Sequence, residues 1–344
     1  MCNPSDAAPA TVVPGAPAQV PQIEPEADTW DDADSSLGSV IGSATTSIGS
    51  SILDYRRENG RRYHAYKDGQ YLFPNDEEEN DRLDLQHHLL YLTFRGKLFT
   101  APIPKDQQLH RVLDVGTGTG IWAIDFADEH PESQVIGVDL SPIQPTFVPP
   151  NLVFQVDDIE EEWTFTSKFD FVYSRMMTGS MINWPKFFSQ SFENLNPGGW
   201  IEVVDIRLPY ESQDGTLKAD SGIHHWIKTG ITGVNALGRE IHTAHTYKER
   251  MIAAGFENVT EVIYQWPTNR WPKDKRMKEL GMWALENMLS SLEGTSLAIF
   301  TRGLGWSKER LDVLLAEVRR EMKDTKIHAY APIYVVYGQK PKET

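Results

Sequence analysis

An open α/β fold with a mainly parallel sheet is predicted by two features of this 344-residue sequence. Short apolar segments alternate with helical stretches from Leu109 onward, and such alternation requires the crossover connections that join parallel strands. The first apolar segment also runs directly into a glycine-rich loop that opens a helix. Because open sheets of this kind bind ligands outside the carboxyl ends of their strands, we expect the functional site at that edge.

The predicted sheet contains seven strands, each indicated by a short apolar run. They span residues 111–115, 135–140, 152–156, 169–174, 200–205, 259–266 and 331–337. Two further stretches, 207–245 and 267–324, exceed what the sheet needs and combine aromatic side chains with helical patterning. We therefore expect two helical insertions that cover the substrate end of the sheet.

The N-terminal part of the chain divides into two segments. Residues 1–50 are rich in Pro, Ala, Ser and Gly, carry acidic side chains and contain no Lys or Arg, which predicts a disordered tail. Residues 51–100 are expected to form a helical lead-in, in which Asn75 and the acids after it are typical of a helix start, with that helix ending near Lys97. The α/β domain, with both insertions, then spans residues 101–340.

Composition excludes several classes of protein. The formal net charge of −16 raises the electrostatic cost of approaching a phosphate backbone, so we do not expect a nucleic-acid substrate. The single cysteine, Cys2, excludes an intramolecular disulfide and favours a reducing compartment. We find neither an apolar run long enough to span a membrane nor a secretory signal, and therefore expect a cytoplasmic protein without membrane contact.

The glycine-rich loop predicts which cofactor binds. Gly116, Gly118 and Gly120 allow a tight turn and a close approach of the backbone to a ligand. In the dinucleotide-binding fingerprint the third glycine comes three residues after the second, whereas here a single residue separates the second and third. Asp114, just before the loop, would repel a bound diphosphate but favours the ammonium and sulfonium groups of S-adenosylmethionine. Spacing and charge together predict S-adenosylmethionine.

Acidic side chains at the ends of the next two strands agree with this prediction. Asp139, followed by Leu140, ends the second strand, where a carboxylate can accept hydrogen bonds from both ribose hydroxyls. Asp157 and Asp158 end the third strand, where they are expected to hold the adenine amino group. Ile159 is then available to pack on the adenine ring.

These motifs resemble those of a known family, the LaeA-like or TAM-type fungal methyltransferases. The resemblance covers residues from about 55 to 340. It rests on LDVGTGTGIWAID (113–125), VIGVDLSPIQP (135–145), FDFVYSRM (169–176), NPGGWIE (196–202) and the lead-in segment YLFPND (71–76).

The resemblance implies a class I methyltransferase fold, a Rossmann-like seven-stranded sheet with the cofactor at the ends of its first four strands. It also implies one of two functions. The first is S-adenosylmethionine-dependent methylation of a small-molecule acceptor, as in tailoring enzymes of fungal secondary-metabolite pathways. The alternative is a nuclear regulator of secondary metabolism that works through velvet-type protein partners.

The sequence identifies no catalytic base. His64, His224 and His225 lie in the lead-in or the first insertion, and histidine suits proton removal near neutral pH. Ser174, at the end of the fourth strand, is also a candidate. We predict no metal site, because the closely spaced pair His242 and His245 has no nearby cysteine or evident third ligand.

Tryptophans of the insertions and their flanks are candidates for an apolar acceptor pocket. Ordinary core packing explains them equally well, so both interpretations stay open. The residues are Trp226, Trp266, Trp271, Trp283 and Trp306. The acceptor molecule, the methylated atom and the oligomeric state are not determined by the sequence.

Overall fold

The structure is a computed structural model that describes residues 22–25, 55–67, 69 and 71–342. Most of the predicted tail over residues 1–50 lies outside these residues. Residues 22–25 contact the folded body: the Ile23 amide donates to Gln213 Oε1 over 3.0 Å, and the Lys273 amide donates to the Glu24 carbonyl over 2.9 Å. This short part of the tail is therefore bound to the insertion side of the domain.

The lead-in differs from the predicted helical segment. Its first described part is a hairpin of β1 (Arg56–Glu58) and β2 (Arg61–Tyr63), and only its second part is the helix α1 (Glu77–Thr93). Asn59 and Gly60 both have positive φ, at 51° and 82°, as a two-residue hairpin turn requires. The Asn-Gly pair is the signal that identifies this hairpin. Asp76 caps α1 by accepting from the Glu79 amide, one residue after the predicted Asn75.

The remaining elements follow the predicted order. The strands are β3 (Arg111–Val115), β4 (Gln134–Asp139), β5 (Leu152–Val156), β6 (Phe169–Arg175), β7 (Leu195–Ile206), β8 (Glu211–Ser212), β9 (Glu257–Pro267) and β10 (Ala329–Gln339). The helices are α2 (Ile121–Glu129), α3 (Trp184–Asn194), α4 (Gly222–Ala236), α5 (Tyr247–Ala253), α6 (Lys275–Ala298) and α7 (Lys308–Lys323).

Seven long strands form the sheet in the order β5-β4-β3-β6-β7-β10-β9, and β8 adds a two-residue pairing at the start of β10. The five strands from β5 to β7 are parallel, whereas β10 pairs antiparallel with both β7 and β9. Strand β7 begins at Leu195, earlier than predicted, because the segment before its apolar run still pairs with β6 across a register shift. The carboxyl ends of β3 to β6 consequently lie along one edge.

Side chains of the central strands alternate between two apolar layers. Val112 of β3 packs in one layer and its neighbour Leu113 in the other, and both are fully buried. Trp122 of α2 stacks on Tyr173 of β6 with ring centroids 4.0 Å apart, which fixes the helix after the glycine loop against the sheet. None of the helices in the described ranges is long and apolar enough to cross a membrane.

Both insertions are helical, as the sequence predicts. The first supplies α4, and the second supplies α6 and α7, with a π-helical turn over Ile299–Gly303 between them. Helix α6 packs against α1, and α4 packs against α7. The lead-in helix and the insertion helices therefore form one helical layer beyond the ends of the strands.

Candidate active site

The loop between β3 and α2 is shaped by glycine. The amides of Gly116 and Thr117 both donate to the carbonyl of Val138, which turns the chain over the end of β4. Gly120 begins α2 with a φ of +83°, and a Cβ at this position would overlap the ring of Phe154. The loop thus needs glycine both for its backbone conformation and for its close contacts.

Asp139 holds this loop in place by hydrogen bonds. It also lines a cavity that lies beside the loop. One carboxylate oxygen accepts from the Gly118 amide over 2.9 Å and the other from the Ser141 amide over 2.9 Å. Burial raises the pKa of Asp139 to about 6, although these backbone hydrogen bonds favour its charged form. Sequence reasoning found the residue but not its role in holding the loop.

Asp114 lies beneath the loop. It is 2% exposed, and its carboxylate accepts from the Thr117 hydroxyl over 2.5 Å. Burial raises its pKa to about 6 as well. Asp114 and Gly120 are not among the residues that line the cavity beside the loop, whereas Thr117, which bonds to Asp114, does line it.

The other predicted cofactor residues do line this cavity, which we call the cofactor cavity. They are Gly116, Gly118, Asp139, Leu140, Asp157, Asp158 and Ile159. Asp157 is exposed, whereas Asp158 is 6% exposed and forms an ion pair with Lys67 Nζ over 2.7 Å. Lys67 also contacts Glu161 over 2.6 Å, so the lead-in is tied to the end of β5.

The lead-in forms a wall of the cofactor cavity. Tyr71, Pro74 and Asn75 line it, and the Asn75 side chain donates to the Ser141 hydroxyl over 3.3 Å. Sequence reasoning missed this contact because the two residues are far apart along the chain. The segment between the hairpin and α1, together with Leu83 and Gln86 of α1, thus forms one side of this cavity.

Arg175, at the end of β6, is the one Lys or Arg among the described residues that line the cofactor cavity. Its guanidinium donates to Nδ1 of His87 over 2.9 Å, and Nε2 of His87 contacts Asp125 over 2.9 Å. Since a guanidinium can only donate, Nδ1 must be the accepting nitrogen and Nε2 must carry the proton. Burial lowers the pKa of His87, which keeps this tautomer neutral at pH 7.

A second cavity, the acceptor cavity, adjoins the first. The two share Tyr71, Leu83, Gln86 and Met176. Its walls come from the lead-in, α1, α4, α6 and the segment after β7, and they are mostly apolar and aromatic. Helical insertions therefore enclose a space that opens onto the cofactor cavity.

Two of the five candidate tryptophans line the acceptor cavity, Trp226 and Trp266. The other three pack elsewhere: Trp271 donates to the Ala329 carbonyl, Trp283 packs on His88, and Trp306 packs on Phe300. Core or surface packing thus accounts for these three.

None of the four catalytic candidates lines either cavity. His64 is 1% exposed, with Nε2 3.1 Å from the Lys67 carbonyl, and Ser174 is fully buried and donates to the Val115 carbonyl over 3.0 Å. His224 is half-buried near the start of α4, and the exposed His225 packs on the edge of Trp306. Their chemistry suited the role, but packing turns them away from the site.

A buried carboxyl that the sequence did not single out lines the acceptor cavity. Asp205, near the end of β7, accepts from the Tyr247 hydroxyl over 2.8 Å and from the Ile206 amide over 2.9 Å. Burial raises its pKa to about 7. Within the described ranges, His242 and His245 lie 4.4 Å apart between ring centroids, but no group of three or more His, Cys, Asp or Glu could hold a metal ion.

Comparison with known proteins identifies the family. Residues 85–261 match the family model for a methyltransferase domain, which spans about half of the chain. This chain belongs to that methyltransferase family. The predicted class I fold and its cofactor, S-adenosylmethionine, are confirmed, and the chain is an S-adenosylmethionine-dependent methyltransferase.

Curated relatives include both kinds of protein expected from the resemblance. Methyltransferase pytC of Aspergillus terreus is 40% identical over 300 residues, covering 87% of this chain and 92% of the relative. Secondary metabolism regulator LAE1 of Cochliobolus heterostrophus is 38% identical over 291 residues, covering 83% and 95%. Probable methyltransferase tdiE of Emericella nidulans is 37% identical over 263 residues, covering 76% and 82%.

The cofactor cavity fits this cofactor by two observations. The loop that lines the cavity packs so tightly that a Cβ at Gly116 would overlap Met177, and the lining combines several carboxylates with one guanidinium. S-adenosylmethionine supplies a methyl group on a positively charged sulfur, together with an ammonium, a carboxylate, a ribose and an adenine. Opposite charges and polar partners for these groups are all present in the lining.

Proposed function

We propose that this protein transfers a methyl group to a small, flat, apolar acceptor in a fungal secondary-metabolite pathway. The observation that carries the proposal is the aromatic and aliphatic acceptor cavity that adjoins the cofactor cavity at four shared residues. A cavity with apolar walls and few polar groups is typical of a small-molecule site. The relatives named for methyltransferases and secondary metabolism support the same setting.

Individual contacts to the cofactor are part of this proposal. We assign the ribose hydroxyls to Asp139, the adenine amino group to Asp157 or Asp158, and the adenine ring to Ile159. We assign the carboxylate of the amino-acid end to Arg175, because the described lining offers that carboxylate no other cationic side chain. Asp114 then acts from beneath the loop, by holding Thr117 and by its negative charge.

Catalysis in this proposal depends mainly on position and on exclusion of water. Methyl transfer is an in-line displacement, so the acceptor must be held at a fixed angle and distance. Helices α1, α4 and α6 line a largely apolar space, which excludes water from the reacting groups. We assign no catalytic base to His64, His224, His225 or Ser174, since none of them lines that space.

Cofactor affinity is expected to fall as the pH is lowered from 7.5 to 5. Asp139 and Asp114 have pKa values of about 6, so both are carboxylates above that pH and become protonated below it. A protonated Asp139 has lost the negative charge that strengthens its hydrogen bonds to the ribose hydroxyls, and each proton taken up weakens binding by up to about tenfold per pH unit. Calorimetric titration with S-adenosylhomocysteine across this range measures the slope. Asp139→Asn should bind weakly and with a smaller slope, and a flat profile in the wild type would contradict the assignment.

The proposed function is tested by titrating the purified protein with S-adenosylmethionine and with NAD, and then by incubating it with fungal metabolite extracts. We expect binding of the first ligand alone and a mass increase of one methyl group in an apolar metabolite. Binding without any methylated small molecule would contradict the proposed function but not the cofactor.

A second function is favoured by one specific observation, the similarity to the regulator LAE1 over 83% of this chain. In this alternative the protein is nuclear, and it acts through velvet-type protein partners instead of methylating a metabolite in the cytoplasm. The two are distinguished by fractionating fungal cells that express the tagged chain and by identifying what co-purifies with it. Nuclear enrichment with a velvet-type partner supports the regulator, whereas a cytoplasmic chain with a methylated product supports the enzyme.

A further inference from the structure

The acceptor cavity has a mostly apolar and aromatic lining, and three polar side chains meet at one corner of it. Arg82 and Gln86 reach it from α1, and Asn287 reaches it from α6. On α1, the spacing of Glu79, Arg82, Leu83 and Gln86 places all four on one helical face, and all four line the cavity. We call Arg82, Gln86 and Asn287 the donor corner.

Arg82 has hydrogen-bond capacity that the described part of the chain does not use. It is 8% exposed, and its Nε and Nη2 donate to Glu79 while Nη1 donates to Asn287 Oδ1 over 3.0 Å. Each terminal nitrogen of a guanidinium carries a second N–H. Those second N–H groups have no acceptor among the residues that the structure describes.

Asn287 and Gln86 add further donors. Arg82 can only donate, so the oxygen of Asn287 must face it and the amide nitrogen must point away. That nitrogen donates to no residue within the described ranges, although Asn287 is only 2% exposed. Gln86 lines both cavities, and its side-chain amide likewise has no hydrogen-bond partner in the described part of the chain. Gln86 is only half-buried, and these donors face the acceptor cavity, so a ligand with hydrogen-bond-accepting oxygens can bond to them there.

The charged side chains around the donor corner indicate which charge the ligand carries. Glu79, 3% exposed, offsets the charge of Arg82, and Asp205 is the other acidic side chain in the described lining. An anionic acceptor would meet no uncompensated cation, and any negative charge on Asp205 would repel it. An uncharged ligand with hydrogen-bond-accepting oxygens meets neither penalty.

We propose that the donor corner binds carbonyl-type oxygens of an uncharged, flat aromatic acceptor. In this proposal the Gln86 side-chain amide donates a hydrogen bond to the oxygen closest to the cofactor cavity. The inference rests on the proposed function, since it specifies the acceptor class of the same site. The aromatic walls bind the ring system, and the donor corner selects ring systems that carry oxygen. Gln86 is thereby a specificity-determining residue, because it lies where the two cavities meet.

Two probes of matched size test this inference. Coumarin and naphthalene are both flat bicycles, but only coumarin carries a carbonyl oxygen. Ligand-observed NMR titrations are made on the full chain saturated with S-adenosylhomocysteine, with 2-naphthoate as an anionic third probe. We expect coumarin to bind about 5-fold more tightly than naphthalene, as one or two net hydrogen bonds imply, and 2-naphthoate to bind more weakly than coumarin.

Variants test whether the donor corner causes the preference for coumarin over naphthalene. Gln86→Leu removes an amide that no described residue uses, so the protein should fold normally while the coumarin preference falls toward one. Arg82→Lys keeps a cation beside Glu79 but loses the planar set of donors, and it should reduce the preference in the same way. Ile227→Val, in the apolar wall of the cavity, is the matched control and should weaken both probes alike. Thermal unfolding of each variant shows whether it is folded.

The outcomes distinguish a failure of the donor corner from a failure of the proposed function. Equal binding of coumarin and naphthalene to the wild type, or an unchanged preference in Gln86→Leu, would overturn the donor corner and leave the apolar cavity intact. Tighter binding of 2-naphthoate than of coumarin would overturn the assignment of an uncharged acceptor. Failure of all three probes to bind would contradict the flat apolar acceptor, and with it the proposed function.

Discussion

Gly120→Ala is expected to reduce the affinity for S-adenosylhomocysteine by about 100-fold or more. Gly120 has a φ of +83°, a conformation that costs an L-residue about 1–2 kcal/mol. The new Cβ would also lie 2.8 Å from Cε1 of Phe154 and closer still to the end of that ring. Either the loop or the ring must move, and the loop supplies Gly116 and Gly118 to the cofactor cavity. Calorimetric titration of the purified variant measures the loss.

Two further variants show that the effect comes from the loop. Gly215→Ala has a similar φ of +70°, but a Cβ there would meet nothing within 4 Å. It should lower the melting temperature slightly and leave cofactor affinity unchanged. When Gly120→Ala is combined with Phe154→Leu, the smaller side chain leaves room for the added methyl group, so part of the lost affinity should return. Wild-type affinity in Gly120→Ala would refute the requirement for glycine.

The strands of the sheet could be predicted because their apolar runs are local and continuous. Each of the seven predicted strands is present, since largely buried segments such as β10 need nonpolar side chains at most positions. The glycine loop and Asp139 were predictable for a related reason. The site needs these residue types at this spacing along the chain, so the requirement is visible in the sequence itself.

The rest of the site depends on contacts between distant segments. Lys67 with Asp158, and Arg175 with His87, join the lead-in and α1 to the strand ends, and no local pattern encodes either pair. The hairpin of the lead-in was missed because interleaved Tyr and Arg side chains fit a helix as well as two short strands. Its Asn-Gly turn was the better indicator.

The candidate catalytic residues lie outside both cavities for a different reason. A histidine or serine is identified in a sequence by its chemistry, whereas its role depends on the direction of its side chain. Ser174 follows the predicted strand pattern, yet its hydroxyl bonds to the Val115 carbonyl. Asp205, which does line the acceptor cavity, was counted in the sequence only as the last residue of a strand.

Arg175→Gln is expected to weaken S-adenosylhomocysteine binding by about 10- to 150-fold and to leave 5′-methylthioadenosine binding unchanged. A hydrogen bond to a charged partner contributes about 1.5–3 kcal/mol, and this guanidinium is the one cationic group in the described lining. The second ligand keeps the adenine and ribose but lacks the amino-acid carboxylate. Calorimetric titration with both ligands therefore separates loss of one contact from collapse of the cavity, in which case both affinities would fall.

His87 gives the same prediction a second test, because it positions Arg175 without lining the cofactor cavity itself. Decarboxylated S-adenosylmethionine keeps the ammonium and the sulfonium, so it isolates the carboxylate alone. His87→Leu removes the acceptor that orients the guanidinium and should reduce the preference for S-adenosylmethionine over its decarboxylated analogue, although the charge of Arg175 remains. Arg310→Gln, on α7 beside Trp306, is the control and should keep the full preference. If His87→Leu also keeps the full preference for S-adenosylmethionine, the charge of Arg175 is sufficient for that preference. The contacts of His87 with Arg175 and Asp125 would then stabilise the fold instead.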